Sequence, residues 1–185
     1  SELQFIGKSA FSKSSIETLT IPSRVRIIEE SAFFECKKLK TVYFENGSEL
    51  EKISENLFYN SSIESISIPS NVRSIESCAF KECENLKNVT FAKDSKLQKI
   101  CEHSFFKTSI EHISIPSSVT LIDYAFVSDK KLRTVEIPKD SKLQLIGNWS
   151  FLYSTIEKIF IPEHVIKIKR SAFENCEKLQ KVEFS

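Results

Sequence analysis

One phrase recurs through this chain at a nearly fixed interval, and that recurrence leaves few folds open. Ser1-Glu-Leu-Gln-Phe-Ile returns as Ser48-Glu-Leu-Glu-Lys-Ile, Ser95-Lys-Leu-Gln-Lys-Ile and Ser141-Lys-Leu-Gln-Leu-Ile, giving periods of 47, 47 and 46 residues. Each long unit divides in two, because Phe11, Phe58, Phe105 and Phe151 in the first halves are answered by Phe33, Phe80, Phe126 and Phe173 in the second. Eight short repeats, alternating about 22 and 25 residues, therefore tile residues 1–185 as one expected domain. A unit this short cannot bury its own apolar face, so neighbours must stack and share one core.

Every short repeat carries a six-residue block that is apolar at its first, fourth and sixth positions, as in Ile16-Glu-Thr-Leu-Thr-Ile21 and Leu39-Lys-Thr-Val-Tyr-Phe44. β-Branched and aromatic residues alternating with small polar ones predict a short strand with one face buried. Pro22, Pro69, Pro116, Pro138 and Pro162 follow such blocks and end them. After a Val-x-x-Ile turn comes a compact segment such as Ser31-Ala-Phe-Phe-Glu-Cys36, which reads as a short helix or 3-10 turn. The expected fold is an α/β solenoid of eight parallel strands with helical or 3-10 returns, its phenylalanines aligned as a spine.

The strand pattern and the Ile-x-x-x-Ala-Phe-x-x-Cys-x-x-Leu return (Ile28 to Leu39, Ile75 to Leu86, Ile168 to Leu179) resemble the BspA-like subfamily of leucine-rich repeats. The resemblance covers the whole chain. It implies a right-handed arc with the strands on the concave face and the returns on the convex side. It also implies a cell-surface or secreted adhesion role, since the family is found in surface proteins of bacteria and mucosal protists. Asp129 departs from the pattern by standing where Cys36, Cys83 and Cys176 stand in other units, and one residue is missing between Val119 and Phe126.

With the apolar positions buried, the second, third and fifth residues of each block form rows on the strand face. The second row, Glu17, Lys40, Glu64, Lys87, Glu111, Arg133, Glu157 and Gln180, alternates in charge and favours correct register between turns. The third and fifth rows are mostly small hydroxyls, which suits a broad protein or glycan partner better than a small molecule. Tyr43 and Phe160 are the outward aromatics, and His112, Glu136, Lys158, Lys181 and Glu183 complete the candidate contact set, with Phe160 as an anchor inside a charged rim. A further row behind the spine (Phe34, Tyr59, Phe106, Val127, Leu152) is interrupted by Lys81 and is expected to pack between returns.

Signals for chemistry are weak. Three glycines are too few for a phosphate-binding Gly loop, and His103, His112 and His164 have no metal-ligand spacing around them. No catalytic, cofactor-binding or metal residues are assigned; Cys101 with His103 is the only nucleophile pair worth weighing. A formal charge of +1 gives no reason to expect nucleic acid, and no apolar run is long enough to insert in a membrane. Five cysteines, read as buried thiols, lean toward a reducing compartment and keep an intracellular scaffold as the alternative. Four Asn-x-Ser/Thr sequons, at Asn46, Asn60, Asn88 and Asn148, lean the other way. The chain starts and stops in mid-repeat phase, so it reads as a segment of a longer protein whose uncapped ends favour end-to-end association.

Overall fold

The computed structural model describes residues 1–185 as a parallel-stranded solenoid of about eight turns. The six-residue blocks supply the long strands Thr18–Ile21, Thr41–Phe44, Ser65–Ile68, Asn88–Phe91, His112–Ser114, Thr134–Glu136, Lys158–Ile161 and Lys181–Phe184. They alternate as the pattern requires: Val42, Ile66, Val89, Ile113, Val135 and Ile159 point inward and are buried, while their neighbours point out. These strands form two four-stranded parallel sheets, interrupted between Asn88–Phe91 and His112–Ser114.

A second series of strands was not expected from the sequence. The Leu-x-x-Ile and Val-x-x-Ile stretches form two-residue strands, from Phe5–Ile6 and Ile27–Ile28 to Lys167–Ile168, that pair with one another along a different face. Six of them make a continuous sheet in which Ile53, Ile75, Ile100, Ile122, Ile146 and Ile168 are direct partners, one per turn. Two residues are too few to show a period of two in sequence, so the segment reads as a turn until its partners are seen.

The return segments are not helical, contrary to the sequence expectation. Each turn holds two residues at positive φ, four apart: Ser9 and Lys13, Ser31 and Glu35, Asn56 and Asn60, Cys78 and Glu82, His103 and Lys107, Tyr124 and Ser128, Trp149 and Tyr153, Ser171 and Asn175, all between 50° and 60°. Those left-handed residues turn alternate amides away from the segment and toward the next turn. Thus Ser31, Phe33 and Glu35 donate their backbone N–H groups to the carbonyls of Glu55, Leu57 and Tyr59 at 3.0, 3.0 and 2.8 Å, while Phe34 closes an i to i−3 turn onto Ser31. A helix would need those same amides internally. Left-handed backbone costs an L-residue roughly 1–2 kcal/mol, and the hydrogen bonds it directs between turns offset that cost.

Inside, one core cluster runs from Ile6 to Cys176. Its axis is a column of eight phenylalanines, Phe11, Phe33, Phe58, Phe80, Phe105, Phe126, Phe151 and Phe173, whose successive ring centroids lie 5.2–5.7 Å apart with planes 1–12° from parallel. Offset stacking is a favoured aromatic arrangement, and its spacing matches the ~4.8 Å between strands. The six middle rings have no exposed surface. Ala32, Ala79, Ala125 and Ala172, with Ser104 and Ser150, precede the rings and are buried, and Leu57 occupies the same position without exposure.

Three residues past each phenylalanine runs a polar column in which hydroxyl and thiol alternate. The thiols of Cys36, Cys83 and Cys176 donate to the carbonyls of Phe11, Phe58 and Phe151 at 2.9–3.1 Å and lie 3.4–3.5 Å from the hydroxyls of Ser14, Ser61 and Ser154. In the remaining pair Asp129 faces Thr108, which donates to it at 2.7 Å, and Asp129 has no exposed surface. Burial pushes its carboxyl up to about 7, against the opposing hydrogen bonds from Thr108 and from the backbone. A carboxyl raised in the folded state gives stability that is full below its ordinary pKa and is lost as pH rises through the folded value. Asp129→Cys, which installs the residue of the sister turns, is therefore expected to raise the melting temperature at pH 8 and to leave it little changed at pH 4; equal shifts at both pH values would refute the assignment.

Relief of a left-handed residue provides a second test. Ser31 makes no side-chain hydrogen bond and holds φ at 59°. Ser31→Gly should raise stability by about 0.5–1 kcal/mol and Ser31→Val lower it by about 1–2 kcal/mol, measured by urea unfolding; the reverse order would contradict the backbone assignment.

Candidate functional site

The outward rows of the long strands make the candidate surface. Thr18, Thr20, Ser65, Ser67, Asn88, Thr90, His112, Ser114, Glu136, Lys158, Lys181 and Glu183 are exposed, and Tyr43 is 59% exposed. The charged second row is exposed along its whole length, yet none of its members takes part in an ion pair within 4.0 Å. Its alternation acts as a field between neighbouring turns, not as a set of bonds. Close pairs lie elsewhere, such as Lys13 with Glu35 at 3.5 Å and Lys107 with Glu82 at 4.0 Å between returns.

Relief on this face comes from the prolines. Where the residue after a strand has an amide, it donates to the preceding turn: Glu45 to Ile21, Ala92 to Ile68 and Ser185 to Ile161, at 3.0–3.2 Å. At those three interfaces the strands pair over four residues. Pro69, Pro116 and Pro162 have no such donor, and their strands keep one partner pair (Thr41 with Ser65), none, and one pair (Thr134 with Lys158) with the strand before, whereas Pro138, which lacks it too, ends a strand still paired at three positions with His112–Ser114. Alternate interfaces are thus the loosely paired ones, and in each of them the later strand is followed by a proline.

Clefts open at two of these places. The larger, about 520 Å³, lies at the sheet break, with Val89, Phe91, Ile113, Ile115 and Pro116 lining it beside Asn88, Thr90, Lys93, Ser95, His112, Ser114 and Glu136. The smaller, about 280 Å³, lies one long repeat earlier and is lined by Tyr43, Phe44, Asn46, Gly47, Ser67, Ile68 and Pro69 among others.

The candidate contact residues from the sequence fall in three places. His112 and Glu136 line the larger cleft, where the Ser114 hydroxyl donates to the Glu136 carboxylate. Tyr43 lines the smaller one, three turns from His112. Lys158, Phe160, Lys181 and Glu183 lie together on the last two strands, where Phe160 is half-buried opposite Glu183 and Lys158 is opposite Lys181. Lys181 pairs with Glu183, and that hydrogen bond, followed by the Lys181 and Lys158 charges, holds the Glu183 carboxyl below its usual range. Thr90, Lys93 and Ser95 also belong to the larger cleft and lie outside the contact set read from the sequence, as does Asn88, which the sequence marks only as a sequon. Pro116 beside the sheet break is the one sequence feature that lies with them.

On the return side the second aromatic row is half-buried. Phe34 stacks on Tyr59 at 5.0 Å, and Lys81, which interrupts the row in sequence, continues it in space: its ammonium is 5.7 Å from the Tyr59 ring and 5.4 Å from Phe106. His103, Tyr124 and Trp149 form a neighbouring stack closed by the Arg170 guanidinium 5.7 Å from Trp149. His103 is thus packed among rings, and burial lowers its pKa. The Cys101 thiol is pushed up to about 11 by burial and then by Glu76, and the Cys83 thiol to about 11 by burial. Neither environment favours a thiolate nucleophile. All five cysteines are free, and no three His, Cys, Asp or Glu side chains gather as a metal site.

A family model described as the BspA type leucine-rich repeat region matches residues 4–126 and 121–185, with six copies. Among solved structures, the pneumococcal vaccine antigen PcpA aligns at 24% identity and TM-score 0.72 over 98% of this chain and 56% of its own. A leucine-rich repeat protein of Bacteroides ovatus aligns at 21% identity and TM-score 0.59 over 97% and 58%. The T. pallidum leucine-rich repeat protein aligns at 23% identity and TM-score 0.66 over 90% and 69%. This chain spans little more than half the length of the first two, and at these identities the likeness is one of fold. No curated protein matches the sequence.

The proline rule has a direct check. Pro116→Ala supplies an amide opposite the Phe91 carbonyl, and hydrogen exchange at residue 116 should become as slow as at Ala92. Fast exchange there in a folded variant would show that something other than the missing donor holds the interface open.

Proposed function

The chain belongs to the BspA-type leucine-rich repeat family, and on that premise we propose that residues 1–185 are a non-catalytic interaction module, one solenoid segment of a longer surface or secreted protein. Its long-strand face would hold a protein or glycan of a host or neighbouring cell. The observation that carries this reading is the face itself: eight strands of largely polar outward side chains, short hydroxyls in the first four and charged residues in the last, relieved by two shallow clefts and one half-buried aromatic in a charged rim. Contacts would centre on Tyr43, on His112 with Glu136, and on Phe160 with Lys158, Lys181 and Glu183. The surface setting rests on the family. A second reading, an intracellular scaffold of the same build, is favoured by the five free thiols.

Binding of the labelled module to intact epithelial cells tests the main reading. Tyr43→Ala and Phe160→Ala should each weaken binding by about tenfold or more, the exposed Tyr43 without lowering the melting temperature and the half-buried Phe160 with a small loss, and pretreatment of the cells with protease or with glycosidases should separate a protein partner from a glycan. Binding unchanged in both variants would remove this face from the function.

A further inference from the structure

Three turns of the solenoid join a Leu-type strand to the next short strand, and one of them differs in a chemically consequential way. In the turns at Ala92-Lys93-Asp94-Ser95 and Pro138-Lys139-Asp140-Ser141, the serine amide donates to the Ala92 or Pro138 carbonyl at 3.0 Å, closing the turn. The matching turn, Glu45-Asn46-Gly47-Ser48, has no such bond. Gly47 holds φ at 74°, both Asn46 and Gly47 are exposed, and a Cβ placed on Gly47 would meet nothing within 4 Å. The Gly47 amide donates to no acceptor, and the Asn46 side chain makes no hydrogen bond.

We propose that Asn46 is a site of spontaneous deamidation, with the backbone amide of Gly47 as the nucleophile. The Gly47 nitrogen, on losing its proton to solvent base, attacks Cγ of Asn46; the new N–C bond closes a five-membered succinimide and the side-chain nitrogen leaves as ammonia. Water then adds to either imide carbonyl and opens the ring to aspartate or, through the other carbonyl, isoaspartate. No oxidant or reductant is involved. Glycine permits the attack because no side chain shields its nitrogen, and an open turn leaves that nitrogen unengaged and free to approach. The seven other asparagines precede Leu, Ser, Val, Leu, Val, Trp and Cys, so none has an equally bare nucleophile. Asn60, which precedes Ser61, is further restrained by accepting a hydrogen bond from the Lys37 ammonium.

The consequence falls on the candidate binding face. Asn46 lines the smaller cleft with Tyr43 and Glu45, so the product places a second carboxylate beside Glu45 and lowers the net charge by one. The isoaspartate product also lengthens the backbone by one carbon at the cleft rim. Asn46 is the acceptor of the Asn46-Gly-Ser sequon as well, so deamidation and glycan attachment would be exclusive fates of the same amide.

The test is a time course of the whole chain at 37 °C, at pH 6 and pH 8, followed by peptide mapping that separates aspartate from isoaspartate and by an assay of released ammonia. Conversion at Asn46 should exceed that at Asn60 or Asn88 by about tenfold or more, run faster at pH 8, and yield both isomers, and Gly47→Ala should slow it by a similar factor because a methyl group then crowds the nucleophile. Should Gly47→Ala fold poorly, the comparison among asparagines in the unaltered chain decides alone. Conversion at Asn46 no faster than at Asn60, or aspartate formed without any isoaspartate, would overturn the proposal.

Discussion

No turn of this molecule has an inside of its own. Each contributes a few isoleucines, valines or leucines and one spine phenylalanine, and these become a core only when the same residues of the adjacent turns close over them. The phenylalanine column sets the spacing of everything else. Rings 5.2–5.7 Å apart and nearly parallel suit the strand separation that backbone hydrogen bonding demands, so the two requirements reinforce each other at every step. The left-handed residues on the return side serve the same end, since they aim amides at the next turn that a helix would have kept for itself.

Much of the architecture was legible because it is repeated. A phenylalanine at one place per turn, an alternating six-residue block and a proline after it can be aligned against themselves without any relative. The return segments misled for a physical reason. Ser31-Ala-Phe-Phe-Glu-Cys36 has the compactness and composition of a helical turn, and only backbone geometry shows Ser31 and Glu35 at positive φ. Chains usually place glycine or asparagine there; here Lys13, His103, Tyr124 and Trp149 do the same work, so composition gave no warning. The short strands were hidden by their length.

The candidate surface was legible in outline and not in relief. Alternation told which side chains face out, and His112, Glu136 and Tyr43 do lie at clefts. Where the clefts open depends on which strand pairs lose their last hydrogen bond, a property of two turns together. Pro69 and Pro116 carried that information in plain view, but a proline read alone says that a strand ends, and not that the strand before it loses a partner. The same prolines supply a regular topography on an otherwise flat polar face, at intervals of one long repeat.

The two strand series break in different places, the long strands between turns four and five and the short strands between turns two and three. The return segments do not break at all: their amides bridge every successive pair of turns, including Ser31 to Glu55 and Phe80 to Ser104 across the two gaps. The return side is therefore the most evenly tied edge of the solenoid. Bending would spread or compress the strand side more readily than that edge, so whatever spans several strands would sense, and in turn restrain, the curvature of the coil.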